Sequence, residues 1–247
     1  MRHFLILTGL LLGSFFVLTA QENYTMYENT YLMVKPDAME EFSNAMTTHN
    51  KDFHSGNNPY HANVWMVTSG KYAGSVVWSM GPCTFSHLDA RPDSEEHNED
   101  WVKNVMPNVQ KMGENGYWKR ADKLSYAPED SIFTKLLITV YDIEDWQMYR
   151  FKEIAGKVAE VYRAKKYDHS FAVYMPALDM PHERDAAIVW GFRKYADFDE
   201  DTKFKEAFDE VHGEGAWDKV LDEYKDIVVN SIDEIWELSP EMSGSFE

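Results

Sequence analysis

Histidines are the first residues to consider for chemistry, because imidazole binds metals and transfers protons near neutral pH. The 247-residue chain has nine of them. His49 and His54 are five residues apart, which does not stack both rings on one helix face as an i, i+4 pair would. The acidic run from Glu95 to Asp100, which includes His97, is typical of a solvated helix start. The sequence therefore predicts no metal site.

Aromatic residues on predicted strands form the second group of candidates, because they can line a pocket for a flat apolar ligand. The same residues can instead fill the core between two sheets, as large aromatic side chains usually do. Both interpretations apply to Trp65, Trp78, Tyr117, Trp118, Tyr174 and Trp190.

Composition narrows the classes of partner and site. The chain carries 24 Lys and Arg against 42 Asp and Glu, a formal charge of −18, which argues against nucleic acid as a partner. The single cysteine, Cys83, excludes an intrachain disulfide and a Cys-based zinc or iron–sulfur site. We expect Cys83 to be a small buried residue at the end of a strand. An intermolecular disulfide or a reactive thiol is the alternative.

Residues 1–20 have the pattern of a secretory signal peptide. A basic start at Arg2 precedes an apolar run from Phe4 to Leu18, which is shorter than a membrane span of about 20 residues. We expect cleavage after Ala20, with retention as an anchor as the alternative. The sequence therefore predicts an exported protein, periplasmic or extracellular, with no membrane association after cleavage.

The remainder of the chain contains an internal duplication. The apolar segment from Ser75 to Met80 is similar to the segment from Ala187 to Phe192, and residues 61–66 are similar to residues 169–174. Further similar pairs follow the same order along the chain, as expected when loops are inserted between elements of conserved order. The sequence predicts two units, residues 21–128 and 129–240, followed by a flexible tail at 241–247.

Each unit is predicted to contain β-α-β-β-α-β, the ferredoxin-like order. Apolar periodicity predicts strands at 30–35, 64–67, 74–80 and 117–126, then at 134–141, 171–175, 186–192 and 232–238. Such a sheet has helices on one face only, so its other face must be covered. The fold class is therefore α+β, with two tandem ferredoxin-like units packed sheet to sheet as an α/β barrel.

This element order, over residues 28–240, resembles the dimeric α/β-barrel superfamily in its tandem single-chain form. The superfamily includes cofactor-independent monooxygenases, haem-degrading enzymes, chlorite dismutase-like haem proteins, stress-responsive barrels and binding proteins. The resemblance to the haem-degrading members implies a trio of Asn29, Trp78 and His87, with His87 as the haem ligand and haem as a candidate cofactor. A surface-loop histidine is the alternative for His87.

Equivalent positions before the second strand of each unit are occupied by His61 and His169, so a shared site at matching ends of the barrel is one interpretation. The other is a pair of polar residues at strand starts. Three functions remain open at this stage. The first is binding of a small, mostly apolar molecule between the sheets. The second is a cofactor-light or haem-related monooxygenase that uses the same cavity. The third is a stress or interaction protein with a filled barrel. Association with further copies of the chain is also open.

Overall fold

Each half of the chain forms a four-stranded antiparallel sheet with helices on one face. The computed structural model describes residues 24–92, 94–129, 131–180 and 184–245, so the predicted signal peptide lies outside the described residues. The first half contains β1 (Met26–Val34), α1 (Met39–Phe53), β2 (Ala62–Ser69), β3 (Val76–Cys83), α2 (Phe85–Asp89), α3 (Glu95–Asp100) and β4 (Val109–Arg120). The second half contains β5 (Lys135–Ile143), α4 (Met148–Lys165), β6 (Ala172–Pro176), β7 (Ala186–Phe192), α5 (Phe204–His212), α6 (Ala216–Ile227) and β8 (Val228–Leu238).

The two sheets join into one closed barrel with the strand order β1-β3-β2-β8-β5-β7-β6-β4. The halves meet at two seams. At one, β2 pairs with β8, for example Trp65 with Leu238; at the other, β4 pairs with β6, for example Arg120 with Tyr174. Closure pairs the backbone groups that two separate sheets would leave at their edges. The predicted α+β fold with tandem ferredoxin-like units is confirmed.

Strand alternation divides the interior into three cores. On β1, Met26 and Leu32 pack against the helices of the first half, whereas Tyr31 points between the sheets. The helix-facing core of the second half is centred on Phe151 and Phe208, both almost fully buried. None of the helices in the described ranges is long and apolar enough to cross a membrane.

The prediction for Cys83 as a buried strand-end residue is confirmed. Cys83 is the last residue of β3 and is 1% exposed, with a free thiol. Burial raises the pKa of this thiol to about 11, so it stays protonated and weakly nucleophilic near neutral pH.

One predicted helix is wrong in its extent. A stripe of apolar residues from Trp101 to Met112 predicts a single helix, but after α3 the chain makes a π turn over Trp101–Val105 and a short 3-10 turn over Met106–Asn108. Pro107 lacks the N–H that a continuing helix needs, so β4 begins two residues later. Met112 therefore belongs to a strand.

Residues 241–245, which are part of the predicted flexible tail, pack against the first half of the chain. Met242 is 4% exposed and belongs to the core of the first half, and its carbonyl accepts a hydrogen bond from Asn50 Nδ2 at 2.6 Å. The backbone N–H of Gly244 donates to the Ala62 carbonyl. An apolar side chain and backbone bonds, which composition alone does not reveal, hold this segment on the opposite half of the barrel.

Replacement of Met242 by alanine should lower the free energy of unfolding by about 2–5 kcal/mol, the usual range for truncating a buried methionine. Urea unfolding followed by circular dichroism measures the change. Met39→Ala is the matched control, because Met39 is 37% exposed at the start of α1. Equal unfolding curves for the two variants would show that the segment does not dock.

Candidate functional site

A cavity of about 350 Å³ lies inside the barrel, between the two sheets. Its walls are mainly apolar and aromatic, and both halves of the chain contribute to them. The connection between the halves contributes Phe133, whose ring lies against Gly191 of β7. The aromatic side chains of the strands that line the cavity are Tyr27, Tyr31, Trp65, Trp118, Tyr174 and Trp236.

Strand parity decides which predicted aromatic residues reach this cavity. Trp65 and Tyr174 line it, together with Trp118. Trp78 and Trp190 lie on the opposite faces of their sheets, among the helix-facing side chains. Successive side chains of a strand point to opposite faces, so these two residues support helix packing in each half.

Three of the predicted aromatic residues, Trp78, Trp190 and Tyr117, make their contacts on the helix side of their sheets and not in the cavity. The Trp78 indole is 8% exposed and donates from Nε1 to Asn50 Oδ1 at 3.0 Å. Trp190 packs near the Phe171 ring, with centroids 5.9 Å apart. Tyr117 packs against Phe85 on the helix side of its sheet.

The two strand-start histidines lie in separate environments. His61 is 3% exposed and lies beside Gly244 of the docked C-terminal segment. His169 contacts the Asp168 carboxylate at 2.8 Å and stacks on the Tyr167 ring. The structure does not bring these two side chains into one site.

The trio implied by the haem resemblance is not assembled. Asn29 lines the cavity, while Trp78 faces the helices from the other side of the sheet. His87 lies in α2, where its Nδ1 accepts a hydrogen bond from the Thr84 backbone N–H at 3.1 Å and completes the cap of that helix. These three side chains therefore do not form the site that haem would need.

The cavity lining also lacks a suitable haem ligand among the described residues. It contains no histidine, methionine or cysteine, the usual axial ligands apart from tyrosine. Burial raises the pKa of Tyr27, Tyr31 and Tyr174, which opposes the phenolate form in which a tyrosine binds iron. The residues of this cavity thus do not fit haem.

The wall also contains polar side chains, namely Asn29, Asn63, Ser79, Arg120, Ser131, Ser170 and Arg184. Two of them, Asn29 and Arg184, have a buried polar atom with neither a hydrogen bond nor an ion pair among the described residues. Asn29 Oδ1 has no hydrogen-bond partner within the described part of the chain. Arg184 is 6% exposed; its Nη1 donates to Glu114, while its Nη2 has no partner there. The Arg184 guanidinium lies 5.8 Å from the centroid of the Tyr31 ring. Both groups are positioned in a wall where a bound molecule can supply the missing partners.

A buried carboxylate lies behind this wall. Glu234 is 1% exposed and accepts hydrogen bonds from the Tyr31 hydroxyl at 2.8 Å and from Trp236 Nε1 at 2.9 Å. Burial, with the Glu234 carboxylate adding to it, raises the pKa of Tyr31 well above its usual range, although Arg184 acts in the opposite direction. The Tyr31 hydroxyl therefore connects the cavity to a proton acceptor.

A cluster of three histidines lies outside the barrel, on the helix side of the first sheet. His49 belongs to α1, His54 follows its last residue and His97 belongs to α3. One ring nitrogen from each lies within 4.8 Å of the others. The sequence predicts no metal motif from the spacing of His49 and His54, but α1 ends at Phe53 and His54 leaves the helix, so helical spacing does not apply to it.

The environment of this cluster keeps two of its rings neutral. Burial lowers the pKa of His54 to about 3 and also lowers the pKa of His49. For Asp100, which contacts His49, burial acts to raise the pKa, but hydrogen bonds with Asn104 and His49 outweigh it and the pKa is lowered. A carboxylate and neutral imidazoles thus coexist at neutral pH.

Comparison with known proteins places the chain by fold. No family model and no curated protein matches the sequence. Among solved structures, a putative monooxygenase from Lactobacillus acidophilus NCFM is similar with a TM-score of 0.55 at 11% identity, covering 91% of this chain and 97% of that one. An anthrone oxidase-like protein has a TM-score of 0.54 at 10% identity, covering 89% and 92%.

A chlorite dismutase variant from Candidatus Nitrospira defluvii is also similar, with a TM-score of 0.54 at 6% identity, covering 89% of this chain and 93% of that one. Identities this low establish the fold alone. The chain therefore has the dimeric α/β-barrel fold in its tandem single-chain form, as its element order predicts.

Buried tyrosines should make the protein unfold cooperatively in alkali. Burial raises the pKa of Tyr162 to about 12 and raises those of Tyr141 and Tyr174 as well. Because these pKa values are higher in the folded protein, the tyrosines contribute their full stabilisation below about pH 10, the pKa of tyrosine in the unfolded chain. This contribution to the free energy of unfolding is lost as the pH rises toward the pKa values of the folded protein, because the tyrosines of the unfolded chain ionise first. Tyrosinate absorbance and circular dichroism, recorded together against pH, measure this.

The guanidinium-unfolded protein is the control, since its tyrosines ionise together near pH 10. Native protein should ionise its buried phenols at higher pH, in the same step that abolishes its circular dichroism. Complete ionisation near pH 10 with the fold intact would contradict the burial of these phenols.

Proposed function

We propose that the barrel cavity binds a small planar, mostly apolar molecule that carries hydroxyl or carbonyl oxygens. The observation that carries this proposal is the pair of buried, unpartnered groups in the wall, Asn29 Oδ1 and Arg184 Nη2, within the described residues. An acceptor and a donor of this kind each cost about 1–3 kcal/mol when left unsatisfied, so a ligand that meets both gains binding free energy.

The spacing of these groups suits a ligand with oxygens at separate positions. Asn29 and Tyr31 are two residues apart on the same face of β1, which separates them by roughly 7 Å. Arg184 lies near the Tyr31 ring, so its free donor is displaced from Asn29 along the cavity. A ligand hydroxyl donates to Asn29, and a carbonyl, phenolate or carboxylate oxygen accepts from Arg184.

The walls favour an aromatic body for such a ligand. Trp65, Trp118 and Trp236 supply large flat surfaces, and offset or edge-on contacts with a ligand ring add to the area that they bury. A volume of about 350 Å³ is at the lower end of the range for ligand pockets, so it suits a molecule of two or three fused rings.

The second candidate is oxidation of a bound tricyclic ligand by molecular oxygen without a cofactor. The specific observation in its favour is the contact between Tyr31, in the cavity wall, and the buried Glu234. This pair can take a proton from an activated ligand C–H group. In the balanced reaction a CH₂ group and O₂ give a C=O group and water. The names of two structural neighbours, a putative monooxygenase and an anthrone oxidase-like protein, support this candidate.

Export is part of the same proposal. The signal-like pattern of residues 1–20 supports action in the periplasm or outside the cell. A cavity enclosed by two sheets would there keep an apolar molecule away from water.

Binding should depend on the ligand hydroxyl and on Asn29. We expect 1-naphthol to quench the tryptophan fluorescence of the mature protein saturably and to bind more tightly than naphthalene, because only naphthol donates a hydrogen bond to Asn29. Asn29→Leu should abolish this preference, which we expect to be about 5- to 10-fold. Fluorescence titrations measure both affinities.

Trp190→Phe is the matched control, because Trp190 lies on the helix side of the second sheet and should leave the preference unchanged. Saturable quenching that is equal for the two probes, or that is lost in Trp190→Phe, would contradict binding at Asn29.

Oxidation has a separate test. If the second candidate is correct, anthrone should be converted to anthraquinone with consumption of one O₂ per product, and Tyr31→Phe should slow this by roughly 100-fold, the lower range for loss of proton transfer. Tyr117→Phe is the control, because Tyr117 faces the helices. The rates of O₂ consumption and of anthraquinone formation, followed by its absorbance, are measured in both variants. Equal rates in Tyr31→Phe and Tyr117→Phe would rule out a role for Tyr31.

A further inference from the structure

We propose that His49, His54 and His97 bind one zinc-class divalent cation through their Nε2 atoms, on the helix side of the first sheet. The three residues come from α1, the residue after it and α3, and their candidate ligand atoms lie within 4.8 Å of one another. Three imidazoles with an open fourth position are an established ligand set for Zn²⁺. This site is separate from the barrel cavity, and its proposal does not depend on the cavity ligand.

The hydrogen bond of His54 fixes which of its nitrogens can bind a metal. His54 Nδ1 lies 2.8 Å from the Tyr60 carbonyl oxygen, and a carbonyl oxygen can only accept. Nδ1 therefore carries the proton, and the lone pair of the neutral ring is on Nε2. His97 Nε2 lies 3.2 Å from this Nε2 and donates to it, so a bound cation displaces the proton from His97 Nε2.

His49 is oriented in the same way by a carboxylate. Its Nδ1 lies 2.8 Å from Asp100 Oδ2, so Nδ1 donates and Nε2 is the free lone pair. Asp100 is in turn held by Asn104, whose Nδ2 donates to Oδ1. Metal-binding histidines usually donate their second ring nitrogen to a carboxylate or a backbone carbonyl, and both arrangements occur here.

The distances are close to those of a bound site. Zn–N bonds of about 2.0–2.1 Å in tetrahedral geometry place neighbouring nitrogens roughly 3.3 Å apart. The separation of 3.2 Å between the His54 and His97 nitrogens already meets this value. The remaining separations are at most 4.8 Å, and the stacked rings of His49 and His97 must turn for their nitrogens to converge on one ion.

Aromatic rings surround the cluster and hold its side chains in place. The rings of Phe53, Trp78 and Trp101 lie about 5 Å from one or more of the histidines, at 5.3, 5.0 and 5.1 Å respectively. His49 and His54 are buried, whereas His97 is partly exposed. The exposed side gives a cation its path of entry and leaves the fourth position to water.

The charged side chains around the three histidines are compatible with a bound cation. Asp100 supplies a carboxylate next to His49. Arg91 is the cation that acts on His54, and it is ion-paired with Glu28. The strongly acidic chain as a whole also attracts cations.

The test uses the full mature protein, stripped of metal and titrated with Zn²⁺ and Co²⁺. We expect one ion per chain and visible Co²⁺ absorption of a tetrahedral nitrogen site. His97→Ala should weaken Zn²⁺ binding by about 100-fold or more, and Asp100→Asn by about 10- to 100-fold, because the amide orients His49 less strongly. Calorimetry and the Co²⁺ spectrum give the affinity and the geometry.

His169→Ala is the matched control, because His169 also contacts an aspartate but lies in the second half. Circular dichroism of each metal-free variant checks that it is folded. If His97→Ala does not fold, Asp100→Asn alone provides the test. Sub-stoichiometric binding by the wild-type protein would overturn the proposal. Equal affinity in the wild type and in whichever of these two variants is folded would also overturn it.

Discussion

An antiparallel sheet with helices on one face leaves an apolar face that must be buried, and the whole structure depends on how this chain buries it. Each half places its bare face against that of the other, and the seams β2·β8 and β4·β6 close the barrel. The cavity exists because these two faces meet without filling the space between them. Neither half alone has the cavity, since its walls come from both.

Strand alternation then assigns each side chain to one of two chemical environments. On β3, Trp78 packs beside the histidine cluster, while its neighbour Ser79 lines the cavity. A single sheet thus separates the barrel cavity from the cluster of histidines. A shift of one residue in register would exchange the cavity-facing side chains with the helix-facing ones. The backbone pairing of β1, β2 and β3 therefore maintains both the cavity and the histidine cluster.

Much of the fold was predictable because its signals are local or repeated. Apolar periodicity and the duplicated order of segments predict the strands, and β7 occurs as predicted at Ala186–Phe192. The sites were harder to predict. Whether Trp65 or Trp78 faces the cavity depends on which alternate residues of each strand point between the sheets. A strand that is apolar at nearly every position does not reveal this in its sequence. His54 and His97 are 43 positions apart and meet only after α1 and α3 pack together. The proposed roles of Asn29 and Arg184 depend on one atom of each, Oδ1 and Nη2, that has no hydrogen-bond partner among the described residues, which a sequence does not show.

The docked segment around Met242 has a consequence for the order in which the protein folds. The carbonyl of Met242 is 192 positions from its donor, Asn50, and its side chain completes the core of the first half. The first half therefore cannot finish packing while the chain is still emerging in order from its N-terminal end. Folding waits for a late segment, which keeps the earlier part loosely packed for longer.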